Sequence, residues 1–152
     1  MVRSSPLPTD SDVDLHVPEQ RRELGWTLLA AISAGGVLGA LGRYGLAVAW
    51  PHRSGDFPWA TFVTNVSGCM LIGVLMVLVA EVWPGQRLLR PFLGVGVLGG
   101  YTTFSTYAVD IQQLVTAGAA RTALVYLAGT LVAALAAVSA GTALTRRAVK
   151  RR

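Results

Sequence analysis

Chemistry in this chain has to come from polar side chains set inside apolar runs, and the densest set follows Leu98. The chain there reads Gly99-Gly100-Tyr101-Thr102-Thr103-Phe104-Ser105-Thr106-Tyr107, with no charged residue anywhere in 91–109. Adjacent glycines followed by β-branched threonines are poor helix material, each Gly costing about 1 kcal/mol against Ala. A helix break near 99–103 is expected, and it would free backbone carbonyls in the middle of a membrane span. Such backbone survives only when buried in protein or lining a cavity, often around an ion. The competing reading is a packing helix merely kinked at its glycines, which are common in membrane helices. Beyond the break, Phe104, Ser105, Thr106 and Tyr107 present hydroxyls and ring edges together. A ring edge carries the positive end of the aromatic quadrupole. An anion can therefore lie edge-on to a ring while hydroxyl and amide donors replace its water.

Other polar groups are sparser. Asn65 sits among Thr61, Thr64 and Ser67; it can bond a neighbouring helix or offer two N–H donors to a small anion. Arg43 follows Gly35 and Gly39, a spacing that suits close helix packing. It either snorkels to the interface or stands as a fixed positive charge that draws anions into a vestibule. Asp110 reads as an interface residue or an arginine partner rather than a proton carrier. Cys69, the single cysteine, makes no internal disulfide and reads as a small buried apolar residue. Enzyme chemistry finds no footing. His16 and His52 fall in a tail and a loop, no Cys/His/carboxylate cluster has metal-ligand spacing, and no phosphate-binding loop follows a strand.

The elements that must hold these groups are legible in the charge pattern. Of 152 residues, 53% are hydrophobic and 14% charged, where a soluble domain carries about a quarter charged. No charge falls in 26–42, 57–80, 91–109 or 122–145, and roughly 20 apolar residues cross a bilayer core of about 30 Å. The reading is an all-α membrane protein with spans at 26–49, 58–81, 91–116 and 122–144, the third one broken. Trp26, Trp50, Trp59 and Trp83 lie near span ends, where indoles prefer the interface. Only a short connection around Gly118 to Arg121 separates spans three and four, so they are antiparallel neighbours. Residues 1–22, with Pro6, Pro8 and Pro18 among Ser and Asp, read as a disordered tail and not as a cleavable signal peptide. Residues 146–152 form a basic tail, and 26–145 is the membrane domain.

An even number of spans puts both termini on one side. Of the 13 Lys and Arg, only Arg43, Arg53 and Arg121 fall on the other side, which places the termini in the cytoplasm of a multi-pass cell-membrane protein. The net charge of +5 flanks the spans instead of striping a surface, so it does not point to nucleic acid.

Three motifs together carry a specific resemblance: GG-x-x-GA-x-x-RY over 35–44, N-x-x-G over 65–68, and GG-x-TTFST over 99–106. The chain resembles the Fluc (CrcB) family of fluoride channels over about residues 26–145. That resemblance implies passive fluoride export through an antiparallel dimer with a central, non-transported Na⁺. It implies that the backbone carbonyls of Gly99 and Thr102 hold the sodium, that Phe104 and Asn65 line the pore, and that Ser105, Thr106, Tyr126 and Thr130 extend a polar track. Arg43 matches the arginine of span one. In one place the chain departs from the family pattern: Tyr107 stands where a second Phe is usual, bringing a hydroxyl that needs a partner and a pore that is weakened or silent. The Lys/Arg asymmetry is another departure, implying one preferred orientation and hence an oppositely oriented homologue as partner; otherwise the dimer is a homodimer. Two alternatives are a non-conducting structural partner subunit and a small four-helix multidrug transporter. The transporter needs an intramembrane carboxylate, which 26–42 and 57–80 lack.

Overall fold

A computed structural model describes residues 25–83, 86 and 88–151 of the chain; the tail 1–22 lies outside the described residues. Helix α1 spans Trp26–Ala49 and α2 spans Trp59–Val77, continued by a π-helical turn over Leu78–Val82. The next piece, α3, is π-helical over Arg90–Leu98 and α-helical over Gly99–Tyr101. Helix α4 spans Phe104–Thr116 and α5 spans Ala120–Lys150. Among the described residues there is no strand. The helices Trp26–Ala49, Trp59–Val82 and Ala120–Lys150 are each long and apolar enough to cross a membrane. The third crossing is made by α3 and α4 together, so the four-span, all-α reading of the sequence is borne out.

The helices associate as pairs. α1 lies along α3 and α2 lies along α5, while α4 packs mainly on α5. The break therefore hands the chain from one pair to the other. Small residues allow the pairs to approach to backbone contact, as lipid-embedded helices without a hydrophobic drive require. A Cβ on Gly96 of α3 would sit 2.7 Å from the Ile32 carbonyl oxygen of α1, and one on Gly39 would overlap the Val97 carbonyl. In the other pair, side chains at Gly73 or Gly141 would run into the carbonyls of Val138 or Met70. At the end of α4, Gly118 takes a φ of +75°, the left-handed geometry that closes a helix and turns the chain back. Ala119 N–H then donates to the Leu114 carbonyl at 2.9 Å, and α5 begins at once.

The break falls inside the expected stretch 99–103, at its threonine end. Gly99 and Gly100 are helical, and the extended residues are Thr102 (φ −77°, ψ 156°) and Thr103 (φ −150°, ψ 124°). Gly100 has a different purpose: a Cβ there would overlap the Gly36 carbonyl of α1. The basic segment after 145 is helical, as α5 continues through Lys150. Positive charge is favoured in the last turns of a helix, and Arg146 Nε lies 3.3 Å from Glu81 Oε1 at the end of the α2 π-turn.

Candidate functional site

The two extended residues are held by a side chain from α2. Asn65 Nδ2 donates to the Thr103 carbonyl at 2.9 Å, and the Thr103 N–H donates to Asn65 Oδ1 at 2.8 Å. The amide thus pairs with Thr103 as a neighbouring strand would, satisfying both backbone groups where no water is at hand. Of the two readings open from sequence, the bond to a neighbouring crossing is present, and one Asn65 N–H remains uncommitted. Arg43 reaches inward from α1 and its Nε donates to the Gly100 carbonyl at 3.2 Å. Tyr101 and Ser67 share a hydroxyl hydrogen bond at 3.0 Å.

What the break leaves open matters as much. The carbonyls of Gly99 and Thr102 accept no hydrogen bond from the described residues, and the N–H groups of Phe104 and Ser105 find no acceptor there. One helical piece therefore ends in free carbonyls and the next begins with free N–H groups, the arrangement in which a discontinuous membrane helix meets a cation and an anion. Thr103 Oγ1 caps α4 by accepting from the Thr106 N–H at 3.1 Å. A threonine three residues ahead of the N–H that donates to it is a helix-start signal that could have placed the break from sequence.

Two cavities flank Thr103, which lines both. The larger, ≈ 430 Å³, has Asn65, Cys69, Phe104, Tyr107 and Thr130 in its wall. The smaller, ≈ 240 Å³, is bounded by Arg43, Tyr44, Thr61, Thr64 and Thr106. Thr130 Oγ1 is buried and has no partner among the described residues. Phe104 is 80% exposed, its ring centroid 5.9 Å from that of Tyr107. The Tyr107 hydroxyl, which needed a partner, donates to the Leu127 carbonyl of α5 at 2.8 Å. Ser105 is exposed and lies 3.3 Å, oxygen to oxygen, from Thr103 Oγ1.

Tyr126 is fully buried, and its hydroxyl donates to Asp110 Oδ2 at 3.1 Å. Among the described residues Asp110 has no arginine partner. It lies within α4, 5% exposed, and its partner is a phenol. Among the described residues no cluster of His, Cys, Asp and Glu could hold a metal ion. The cavity walls offer hydroxyls, an amide, ring edges and free N–H groups, a donor set suited to a small and strongly hydrated anion.

The profile of CrcB-like protein, Camphor Resistance (CrcB), matches residues 30–142. The chain belongs to the CrcB family. Among its relatives, the fluoride-specific ion channel FluC 2 of Streptomyces avermitilis is 57% identical over 115 residues, covering 73% of each chain. The fluoride-specific ion channel FluC 2 of Nocardia farcinica is 56% identical over 132 residues, 87% of this chain and 94% of the relative. A more distant one, the fluoride-specific ion channel FluC of Rhodospirillum centenum, is 45% identical over 123 residues, 80% of this chain and 98% of the relative. The matched stretch of the family contains all the residues of the break and both cavities.

Proposed function

We propose that this protein is a fluoride-specific ion channel that lowers cytoplasmic fluoride by passive flow. The observation that carries the reading is the break at Thr102–Thr103, with free N–H groups at the start of α4 opening beside a cavity walled by Asn65, Phe104, Tyr107 and the unpartnered Thr130. Family membership and the names of relatives such as the one from Nocardia farcinica support it. Fluoride holds its water tightly, so passage needs many donors in sequence. Arg43, Thr61, Thr64 and Thr106 line the smaller cavity, while Asn65 and Thr130 in the wall of the larger one extend the polar track together with Ser105 and Tyr126.

The working unit is an antiparallel dimer. Phe104 is largely uncovered on a single subunit, as are Val37, Leu41, Leu131 and Leu135, which gives a second copy or lipid an apolar face to cover. The free carbonyls of Gly99 and Thr102 fit a hard monovalent cation, and they would hold Na⁺ with their counterparts from the other subunit. That ion would supply fixed positive charge at the dimer centre and would not be transported. With both termini cytoplasmic, the ten-to-three Lys/Arg asymmetry favours an oppositely oriented homologue as partner.

Efflux from liposomes tests the reading. Fluoride should leave and chloride should stay, with the chain alone or with a reverse-biased homologue. Comparable fluxes of the two anions would overturn it. Exchange of Na⁺ for a large organic cation during reconstitution should abolish flux or separate the subunits; undiminished activity would remove the sodium site from the account.

A further inference from the structure

Helix α5 is longer than a membrane crossing needs. Its 31 residues over Ala120–Lys150 span about 46 Å at 1.5 Å each, against a hydrocarbon core of about 30 Å. No charge falls in 122–145, so the surplus sits mainly at the end that carries Arg146, Arg147 and Lys150, with Arg151 following. A neighbouring helix fixes the depth of that end. Arg146 Nε lies 3.3 Å from Glu81 Oε1, and Trp83, two residues beyond Glu81, is an exposed indole of the kind that sits at the interface. Arg147, Lys150 and Arg151 therefore stand at the level of lipid headgroups. All three are exposed, and their spacing puts them on one face of the helix. The acids among the described residues are Asp56, Glu81 and Asp110. Glu81 is engaged by Arg146 and Asp110 by Tyr126, while Asp56 lies in the loop between α1 and α2, at the other end of the bundle.

Back along α5 from these cations, the same face is apolar. Steps of three or four residues lead from Arg147 through Ala143, Ala140 and Ala136 to Val132, every one of them exposed. None of these residues lines either cavity. An apolar face that ends in three cations has the layout of an anionic phospholipid, chain first and phosphate after. Guanidinium forks bind phosphate through two hydrogen bonds, and a lysine adds a point charge. Each such group at a membrane surface is worth about fivefold in affinity for anionic lipid, whereas a choline headgroup brings its own cation and gains little. We propose that this end of α5 is a binding site for one anionic phospholipid, its phosphate on Arg147, Lys150 and Arg151 and an acyl chain along the apolar face.

Native mass spectrometry tests this on the full chain, released from nanodiscs of equal phosphatidylglycerol and phosphatidylcholine with the same acyl chains. One phosphatidylglycerol per chain should stay bound, favoured over phosphatidylcholine by about tenfold or more. Joint Arg147→Gln, Lys150→Gln and Arg151→Gln should bring the ratio to about one. Arg147→Lys with Arg151→Lys should keep most of the preference. Arg53→Gln with Arg121→Gln, which removes two cations from the other end, should leave it unchanged. An unchanged ratio in the glutamine triple variant, or an equal loss in the variant of the other end, would overturn the site. Release of the lipid by inorganic phosphate would make it a site for the free anion and overturn the lipid. The acids Asp10, Asp12 and Asp14 are a rival occupant on the same side. A lipid preference that arises only after their joint replacement by Asn would give the face to the chain's own tail and overturn the proposal. Each of these outcomes leaves the fluoride reading, which rests on the break, where it stands.

Discussion

The two halves of the third crossing do opposite things with the same membrane. Helix α3 meets α1 through missing side chains: Gly35, Gly39, Gly96 and Gly100 bring backbone against backbone, with no room for a methyl. Helix α4 meets α5 through side chains instead, using Tyr107 and Asp110 to reach across, and it leaves Phe104 uncovered. Between them, Asn65 grips one peptide from both sides. The glycine half supplies a rigid base because it has nothing to rearrange. The ring half can carry hydroxyls and a cavity because that base fixes where it starts.

The largest expected effect comes from spoiling the rigid half. Gly39→Ala places a methyl on the Val97 carbonyl, and overpacking of this kind costs about 1–3 kcal/mol or more. Loss of monodisperse, folded protein in size-exclusion chromatography is the expected result. Gly36→Ala, on the same helix but facing open space, should melt within about 0.5 kcal/mol of the unaltered chain. Equal damage from both would mean that close approach is not what the glycines provide.

Removing the grip should come next. Asn65→Ala orphans the N–H and the carbonyl of Thr103, each worth about 1–3 kcal/mol when left unpaired. Fluoride efflux should fall below detection, with a lower melting temperature. The ring half should then yield a purely functional defect. Phe104→Ile keeps an apolar group but removes the ring edge, so efflux should drop about tenfold, equivalent to ~1.4 kcal/mol, at an unchanged melting temperature because the site is exposed. Smallest of all should be Thr102→Ser. It keeps the hydroxyl bond to the Leu98 carbonyl and loses only the methyl that packs on Gly68, worth about 1 kcal/mol. Efflux within about a factor of two is expected, since the proposed cation ligand is the backbone.

Much of this was readable in the letters, and what was not depended on contacts across the fold. Stretches without charge located the four crossings, and Gly-Gly followed by Thr-Thr located a break to within a few residues. Within that stretch both glycines stay helical, although propensity scores glycine as a helix breaker in isolation, and contact with α1 uses Gly100 as helix surface. Arg146 to Lys150 read as a tail by charge, and Arg, Ala and Lys, good helix formers, carry α5 on through it. Tyr126 and Asp110 are 16 residues apart and meet only because Gly118 turns the chain. Leu127 could not have been named as the partner of Tyr107, since the acceptor is a main-chain oxygen that every residue has.

Among the described residues, three helices are each long and apolar enough to cross a membrane, and the third crossing is made of two shorter pieces. During synthesis, α1 and α2 reach the membrane first and the third crossing follows, carrying a glycine-rich π-helix, an open break and a run of hydroxyls. In the folded chain it lies along α1, receiving a bond from Arg43 and seating Gly96 and Gly100 against the α1 backbone. The order of the crossings in the chain is therefore also an order of assembly: the crossing with the most chemistry arrives after its bed has been made, and α5 emerges last to close over it.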